Sequence, residues 1–314
     1  MAATGPDPWT QLVVNVGLTA VAHPMGYVKT LVQIGFEPLP PKLGRNLFFR
    51  QCWQLPGFFD YASHIRKVDG FFGLYRGFFP RVCGTIVGAA VSKTVGERMD
   101  EFFPVSDEKD REALKKKPKG TAKVSTQTFL AQTSKLTVSH CCAVIASHPF
   151  HVVAVRSMVQ FVGRETKYSG WFSPYSEVYQ QNGILGFFAG LIPRMLLDIL
   201  SLWIGRTLYH LFNTLLLDDE MANVGELRSY AHAVTGFAGG MVTYPFGLVS
   251  NIMAVNDSGL VAGSAPFTPV YTSWLDCWRD LSRNNLLKRG NSLFFRRVPT
   301  KLGGIHNVAL TPLD

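Results

Sequence analysis

A chain of 314 residues with 47% hydrophobic content and a mean hydropathy of +0.12 fits either one large soluble domain or a membrane protein with long polar loops. Its net charge of +9 is not gathered into a basic stripe interleaved with aromatics, which argues against nucleic acid as a partner and fits attraction to anionic lipid headgroups. The five cysteines (Cys52, Cys83, Cys141, Cys142, Cys277) form no CxxC, no histidine spacing suggests zinc, and no phosphate-binding glycine loop is present, so neither a cofactor nor enzyme chemistry is expected.

The distribution of charge decides between soluble and membrane readings. Asp, Glu, Lys and Arg are absent from Trp9 to Val28, from Leu136 to Val155 and from Ser229 to Asn256. About 20 apolar residues rising 1.5 Å each cross a hydrocarbon core of ~30 Å, so these stretches predict membrane-spanning helices. Residues 1–8 carry one acid and no base, unlike a cleavable signal or an Arg-rich transit peptide, and targeting is expected to be internal.

In chain order, the sequence predicts five spans, at 9–34, 80–99, 127–160, 193–217 and 228–255. Lys93 interrupts the second, and Asp198 and Arg206 interrupt the fourth. A charge at the centre of a span costs about 2.5–3.5 kcal/mol on insertion scales. Between the spans, residues 57–68, 170–181 and 271–284 carry aromatics among polar side chains. Trp53, Trp171, Trp274 and Trp278 lie in or beside them. Indole prefers the headgroup level, which predicts short helices lying on the membrane surface. Residues 100–123, dense in charge and containing Lys115-Lys116-Lys117, read as a solvated loop.

A motif recurs three times. Each copy opens on a proline late in a span: His23-Pro24-Met25-Gly26, His148-Pro149-Phe150-His151 and Tyr244-Pro245-Phe246-Gly247. Each then reaches a glycine followed five residues later by an aromatic: Asp69-Gly70 to Tyr75-Arg76-Gly77, Asn182-Gly183 to Phe188-Ala189-Gly190, and Arg289-Gly290 to Phe295-Arg296. Pro80-Arg81 and Pro193-Arg194 follow the first two copies.

This pattern resembles the signature of the mitochondrial carrier superfamily, P-x-[DE]-x-x-[KR] followed by [DE]-G-x-x-x-x-[FWY]-[KR]-G. The resemblance rests on Pro24, Asp69, Gly70, Arg76, Pro149, Gly183, Pro245 and Gly290 and covers most of the chain. It implies an all-α membrane protein: a single carrier-like three-repeat helical bundle with repeats at about 9–103, 126–217 and 228–300. Residues 35–41, 148–153 and 183–190 are similar to a branch of the superfamily in the mitochondrial outer membrane. That likeness implies an insertase for α-helical membrane proteins, which also docks the pro-apoptotic protein Bid.

Two departures from a transporter stand out. In carriers the acid and base of the motif form salt bridges that close one side of the cavity. Here the acidic positions hold Gly26, His151 and Gly247, and the basic ones hold Lys29, Ala154 and Ser250. Alternating access needs two states separated by breakable contacts, and one lysine cannot supply them. Secondly, residues 301–314 form a short polar tail, too short for the sixth span of a carrier, so one wall of the bundle is expected to be missing.

Polar and small residues recur at steps of three and four along the spans, which keeps them on one helix face. They are Asn15, Thr19, Ala22, Gly26, Lys29 and Gln33; Thr85, Gly88, Ser92 and Gly96; Lys135, Ser139, Cys142 and Ala146; Arg194, Asp198, Ser201 and Gly205; and His232, Thr235, Gly239 and Thr243. Lys93 and Arg206 add charge to the same spans. These faces either line a laterally open, partly hydrated groove or pack helices closely, as Gly84/Gly88 and Gly236/Gly240 do in the second reading. Arg194 and Asp198 could pair at i,i+4 or face the groove. Lys29, with no acid one helical turn away, is the first candidate for a working residue. His148 and His151, lacking a third ligand, read as hydrogen-bonded helix residues.

The expected function is insertion of α-helical clients, including tail-anchored ones, through such a groove in the outer membrane. A docking receptor for a Bid-type partner and a lipid scramblase are the alternatives, with membrane lipids as the surrounding partner.

Overall fold

The computed structural model describes residues 8–45, 51–103, 126–215, 224–265 and 267–298. Helix dominates. The long helices are α1 (Pro8–Ile34), α3 (Phe78–Phe102), α4 (Thr126–Val159), α6 (Leu191–Leu215) and α7 (Val224–Val255). The short ones are α2 (Phe58–Asp69), α5 (Ser173–Asn182) and α8 (Trp274–Arg283). Pro24, Pro149 and Pro245 lie inside α1, α4 and α7, where each removes one backbone hydrogen bond. Pro80 and Pro193 instead fall in the first turns of α3 and α6, where the N–H groups lack helical partners anyway. A long helix, a surface helix, a 3-10 turn and a second long helix follow one another twice, with the turns at Phe72–Tyr75 and Ile184–Phe188.

Two expectations are corrected. The chain is not wholly α-helical: β1 (Lys42–Arg45), β2 (Gln51–Leu55) and β3 (Arg296–Arg297) form an antiparallel sheet in the order β1-β2-β3. Gln54 pairs with both Lys42 and Arg297, so the sheet joins the segment after α1 to the last described residues. The charged loop begins later than residue 100, because α3 continues through Phe102; residues 104–123 lie outside the described residues. Among the described residues, the helices that length and composition alone mark as able to cross a membrane cover Gln127–Val159, Ile184–Phe212 and Ala233–Val255. These are the third, fourth and fifth of the expected spans. Helix α3 falls short because Lys93, Glu97, Arg98, Asp100 and Glu101 crowd its end, and α1 because Asn15, Thr19, His23, Lys29 and Gln33 dilute its apolar content. The tail at 301–314 also lies outside the described residues.

The chain divides into two compact units. Residues 1–86, 147–192 and 248–314 form the first. Its core is built from Tyr27, Leu31 and Val32 of α1, Val155, Met158 and Val159 of α4, and Val255 of α7, with Tyr61 and Ile65 of α2 beneath them. Residues 87–146 and 193–247 form the second unit, which brings together α3, the first half of α4, α6 and the first part of α7.

Glycine explains how the surface helices end. Gly70, Gly183 and Gly290, the recurring motif glycines, have φ of +76°, +63° and +78°, a region that L side chains rarely adopt. At Gly70 and Gly183 the backbone N–H closes the preceding helix on Arg66 and Tyr179.

Candidate functional site

In the first unit the motif builds a set of contacts between segments. His23 Nε2 lies 2.9 Å from the Arg76 carbonyl, and His148 Nε2 lies 3.0 Å from the Ala189 carbonyl. Each histidine immediately precedes its helix proline, and each carbonyl immediately precedes Gly77 or Gly190. Those glycines allow close approach. A Cβ on Gly77 would sit 2.6 Å from the Ala154 carbonyl oxygen, and one on Gly190 would sit 2.5 Å from that of Ser250. Ala154 and Ser250 occupy positions where a base is expected, and here they receive a neighbouring turn instead. Ser250 Oγ also donates to the Gly190 carbonyl at 2.9 Å. Asp69 and Arg76, the acid and base of the first glycine motif, pair at 2.8 Å.

A hydrogen-bonded link joins the three proline-containing helices. Asn251 Nδ2 on α7 donates to Gln33 Oε1 on α1 at 2.7 Å, and Asn251 Oδ1 lies 3.1 Å from His151 Nε2 on α4. With its amide nitrogen directed to Gln33, Asn251 presents its oxygen to His151, which therefore donates through Nε2. His151 stands where the motif expects an acid. A hydrogen-bonded connection stands where the motif expects an ion pair.

Arginines secure the helix ends of this unit. Arg289 Nε donates to the Gln33 carbonyl at 2.8 Å, and the fully buried Arg156 donates to the Ala254 carbonyl at 2.9 Å. Both carbonyls lie in the last turn of a helix, where a positive charge is favoured by the helix dipole. Arg296 pairs with Glu37 while its NH1 also donates to the Pro56 carbonyl at 3.1 Å. The two side chains are only 7% and 12% exposed. Burial pushes the Glu37 carboxyl above its ordinary range, against the opposing pull of Arg296.

The expected groove residues separate into several kinds. Gln33, Ser139 and Thr243 are buried and hold helices together rather than facing an opening. Ser139 donates to the Ser92 carbonyl at 2.6 Å, with the two hydroxyls 3.2 Å apart. Ser201 and Thr243 lie 2.8 Å apart across α6 and α7. Arg206 Nε donates to Thr133 Oγ1 and Trp203 Nε1 donates to Thr137 Oγ1, each at 3.0 Å, joining α6 to α4. Arg194 and Asp198 pair at 3.1 Å within α6. Lys135 bonds Asp100 at 3.2 Å and also reaches the Phe103 carbonyl. Lys93 lies 4.0 Å from Glu97, both 64% exposed. Thr19 returns its hydroxyl to the Asn15 carbonyl, Thr235 is buried, and Lys29 is half-buried. His232 lies on α7, but its side chain falls outside the described residues. Gly84 packs against Phe150, as close helix packing predicts, whereas Gly236 and Gly240 face open space.

Thr133, Thr137, Asn251, Arg156 and the Glu37–Arg296 pair went unmarked in the sequence. Arg289, an arginine where the motif expects an acid, and Arg296, at the motif's basic position, carried a visible signal, but their partners did not.

Long helices carrying an internal proline, each followed by a surface helix and a glycine turn, define a mitochondrial carrier domain. The family model for Mitochondrial carrier protein matches residues 12–106 and 125–220, and the chain belongs to this family. Among its relatives, Mitochondrial carrier homolog 2 of Homo sapiens is 46% identical over 293 residues, covering 93% of this chain and 95% of the relative. Mitochondrial carrier homolog 1 of Mus musculus is 41% identical over 304 residues, covering 91% and 76%. ADP/ATP translocase 4 of Homo sapiens is 33% identical over 176 residues, covering 56% of this chain and 47% of the translocase.

Proposed function

We propose that this protein is an insertase for α-helical proteins, including tail-anchored ones, in the mitochondrial outer membrane. Its five long helices cross the bilayer and leave a polar groove open sideways to lipid. A client's polar tail would cross along this groove while its apolar helix slides into the hydrocarbon. A polar track lowers the desolvation penalty, which is large for unpaired polar groups in lipid.

The observation that carries this reading is the hydrogen-bonded Gln33–Asn251–His151 link, which ties α1, α4 and α7 where the carrier motif would place acid–base pairs. Helices tied by amide and imidazole hydrogen bonds, without the motif's acid–base pairs, favour a static scaffold over alternating access. The chain is similar to Mitochondrial carrier homolog 2 along 93% of its length. The charged residues of the helices, Lys29, Lys93, Arg194, Asp198 and Arg206, fit a path that water reaches.

The test uses purified protein in liposomes and asks whether a tail-anchored substrate becomes protected from protease. Charge reversals at Lys29 and Asp198 are run alongside. Insertion above empty liposomes that changes with these variants is the expected result. Insertion unaltered by both reversals would remove the groove from the mechanism. No insertion, with saturable capture of a Bid-type partner, would leave a docking receptor.

A further inference from the structure

In the second unit most cations on the helices are matched by acids. Lys93 lies 4.0 Å from Glu97, Arg98 3.1 Å from Glu101, Lys135 3.2 Å from Asp100 and Arg194 3.1 Å from Asp198. Arg206 pairs with no carboxylate among the described residues. Its Nε donates to Thr133 Oγ1 at 3.0 Å, and its Cζ lies 5.9 Å from the centre of the Phe129 ring. Thr133 is fully buried, so the guanidinium is held at Nε and along one face while Arg206 itself is partly exposed. Its two terminal amino groups have no partner among the described residues.

The neighbouring contacts show where those groups lie. Trp203 meets Thr137, Arg206 meets Thr133, and the His210 and Phe129 rings are 4.5 Å apart, so α6 runs antiparallel to α4. From Thr133 to Phe129 the arginine therefore reaches toward the start of α4 and the end of α6. By length and composition the two spans end at Gln127 and Phe212. Phe129 and His210 are each two residues inside those limits, roughly 3 Å along the helices.

We infer that Arg206 binds the phosphate of a phospholipid headgroup through its terminal amino groups. An arginine near the end of a span carries its charge to the headgroup level on an apolar stem. The phosphates begin where the hydrocarbon ends, which is the level that the Arg206 fork reaches. Its two amino groups match two oxygens of one phosphate, and Thr133 holds the fork in place before the ligand arrives. Leu130 and Leu211, next in sequence to Phe129 and His210, are exposed and suit the acyl chains of the same lipid. Free phosphate would meet the same fork without those apolar contacts. The inference does not depend on the insertase reading.

The test follows the thermal unfolding midpoint of the full chain in an uncharged maltoside detergent, which carries no phosphate. Dioctanoyl phosphatidic acid is titrated in one arm and dioctanoylglycerol, the same chains without phosphate, in a second. A third arm adds inorganic phosphate, with chloride at equal ionic strength as reference. A ligand at a hundredfold excess over Kd raises the midpoint by roughly 5–10 °C. Arg206→Gln is expected to weaken phosphatidic acid at least about tenfold, as loss of a charged hydrogen bond predicts. Lys93→Gln, which removes a cation that has its own acid, is expected to leave the affinity unchanged. A rise with phosphatidic acid alone supports the headgroup site. A rise with inorganic phosphate that Arg206→Gln also removes shows that free phosphate enters the same fork. An equal rise with dioctanoylglycerol, no rise at all, or full affinity in Arg206→Gln overturns the inference. If Arg206→Gln does not fold, Thr133→Val, which releases Nε and lets the fork turn, takes its place, and unweakened binding there overturns the inference equally.

Discussion

The side-chain amide of Asn251 donates to the side chain of Gln33 at 2.7 Å, joining α7 to α1 across 218 residues of sequence. Gln33 is buried, and His151 completes the link on the other side of Asn251. Asn251→Ala therefore leaves the Gln33 oxygen without that donor, at a cost of about 1–3 kcal/mol. A double-mutant cycle with His151→Ala is expected to show a coupling of about 0.5–3 kcal/mol in detergent unfolding. Additive losses would mean that the link does not act as one unit.

Gly190 and Gly183 separate two costs of glycine replacement. Both have positive φ, +77° and +63°, but only Gly190 faces a neighbouring backbone. Gly183→Ala is expected to cost about 1–3 kcal/mol from backbone strain alone. Gly190→Ala adds a clash with the Ser250 carbonyl, 2.5 Å from the new Cβ, and is expected to lose more stability. Thermal midpoints of the two variants, measured side by side, check the order.

Arg296→Met removes the partner of a buried carboxylate. At neutral pH the loss is expected to be about 3–5 kcal/mol, because Glu37 is left charged and enclosed. Arg296 opposes the upward push of burial on Glu37, so without it the carboxyl titrates higher still. A raised acid pKa makes the folded state bind protons more readily than the unfolded chain. Stability of the variant should therefore recover as pH falls from 7 toward the ordinary carboxylate range, and its deficit relative to wild type should shrink. Midpoints recorded across that window decide it; a deficit independent of pH would show that Glu37 is not the source.

Arg194 and Asp198 pair at 3.1 Å inside α6. If the pair is structural, either single replacement by alanine destabilises the protein, and the exchange Arg194→Asp with Asp198→Arg restores both stability and insertion. The same exchange restoring stability but not insertion would assign the charges individually to the client path. Protease protection and unfolding, measured on the same preparations, separate the two.

Helices were legible because their signals are local. The expected span at 9–34 is α1 (Pro8–Ile34), and that at 127–160 is α4 (Thr126–Val159). The aromatic segments at 57–68 and 170–181 overlap α2 and α5, which each run one residue further, and that at 271–284 contains α8. The sheet was not legible. Its strands, Lys42-Leu43-Gly44-Arg45 and Gln51-Cys52-Trp53-Gln54-Leu55, are short and lack the apolar alternation of a half-buried strand. Periodicity also marked Ser92, Ser139, Ser201 and Thr243 as one polar set, but spacing cannot tell a hydroxyl facing water from one facing another helix. Asn251 was missed because its partners lie 100 and 218 residues away. The arginine at position 289 was visible as a charge reversal, but its receiving carbonyl at Gln33 was not.

Arg289 and Arg296 close the chain onto its own beginning, and that has a consequence for biogenesis. Glu37 is separated from Arg296 by 259 residues, so the carboxylate waits through the synthesis of all of them for its counter-charge. Closing so long a loop is slow, and early contacts in the first unit must persist without it. A chain halted before Arg289 can form its early helices but would enclose an unanswered negative charge beside α1.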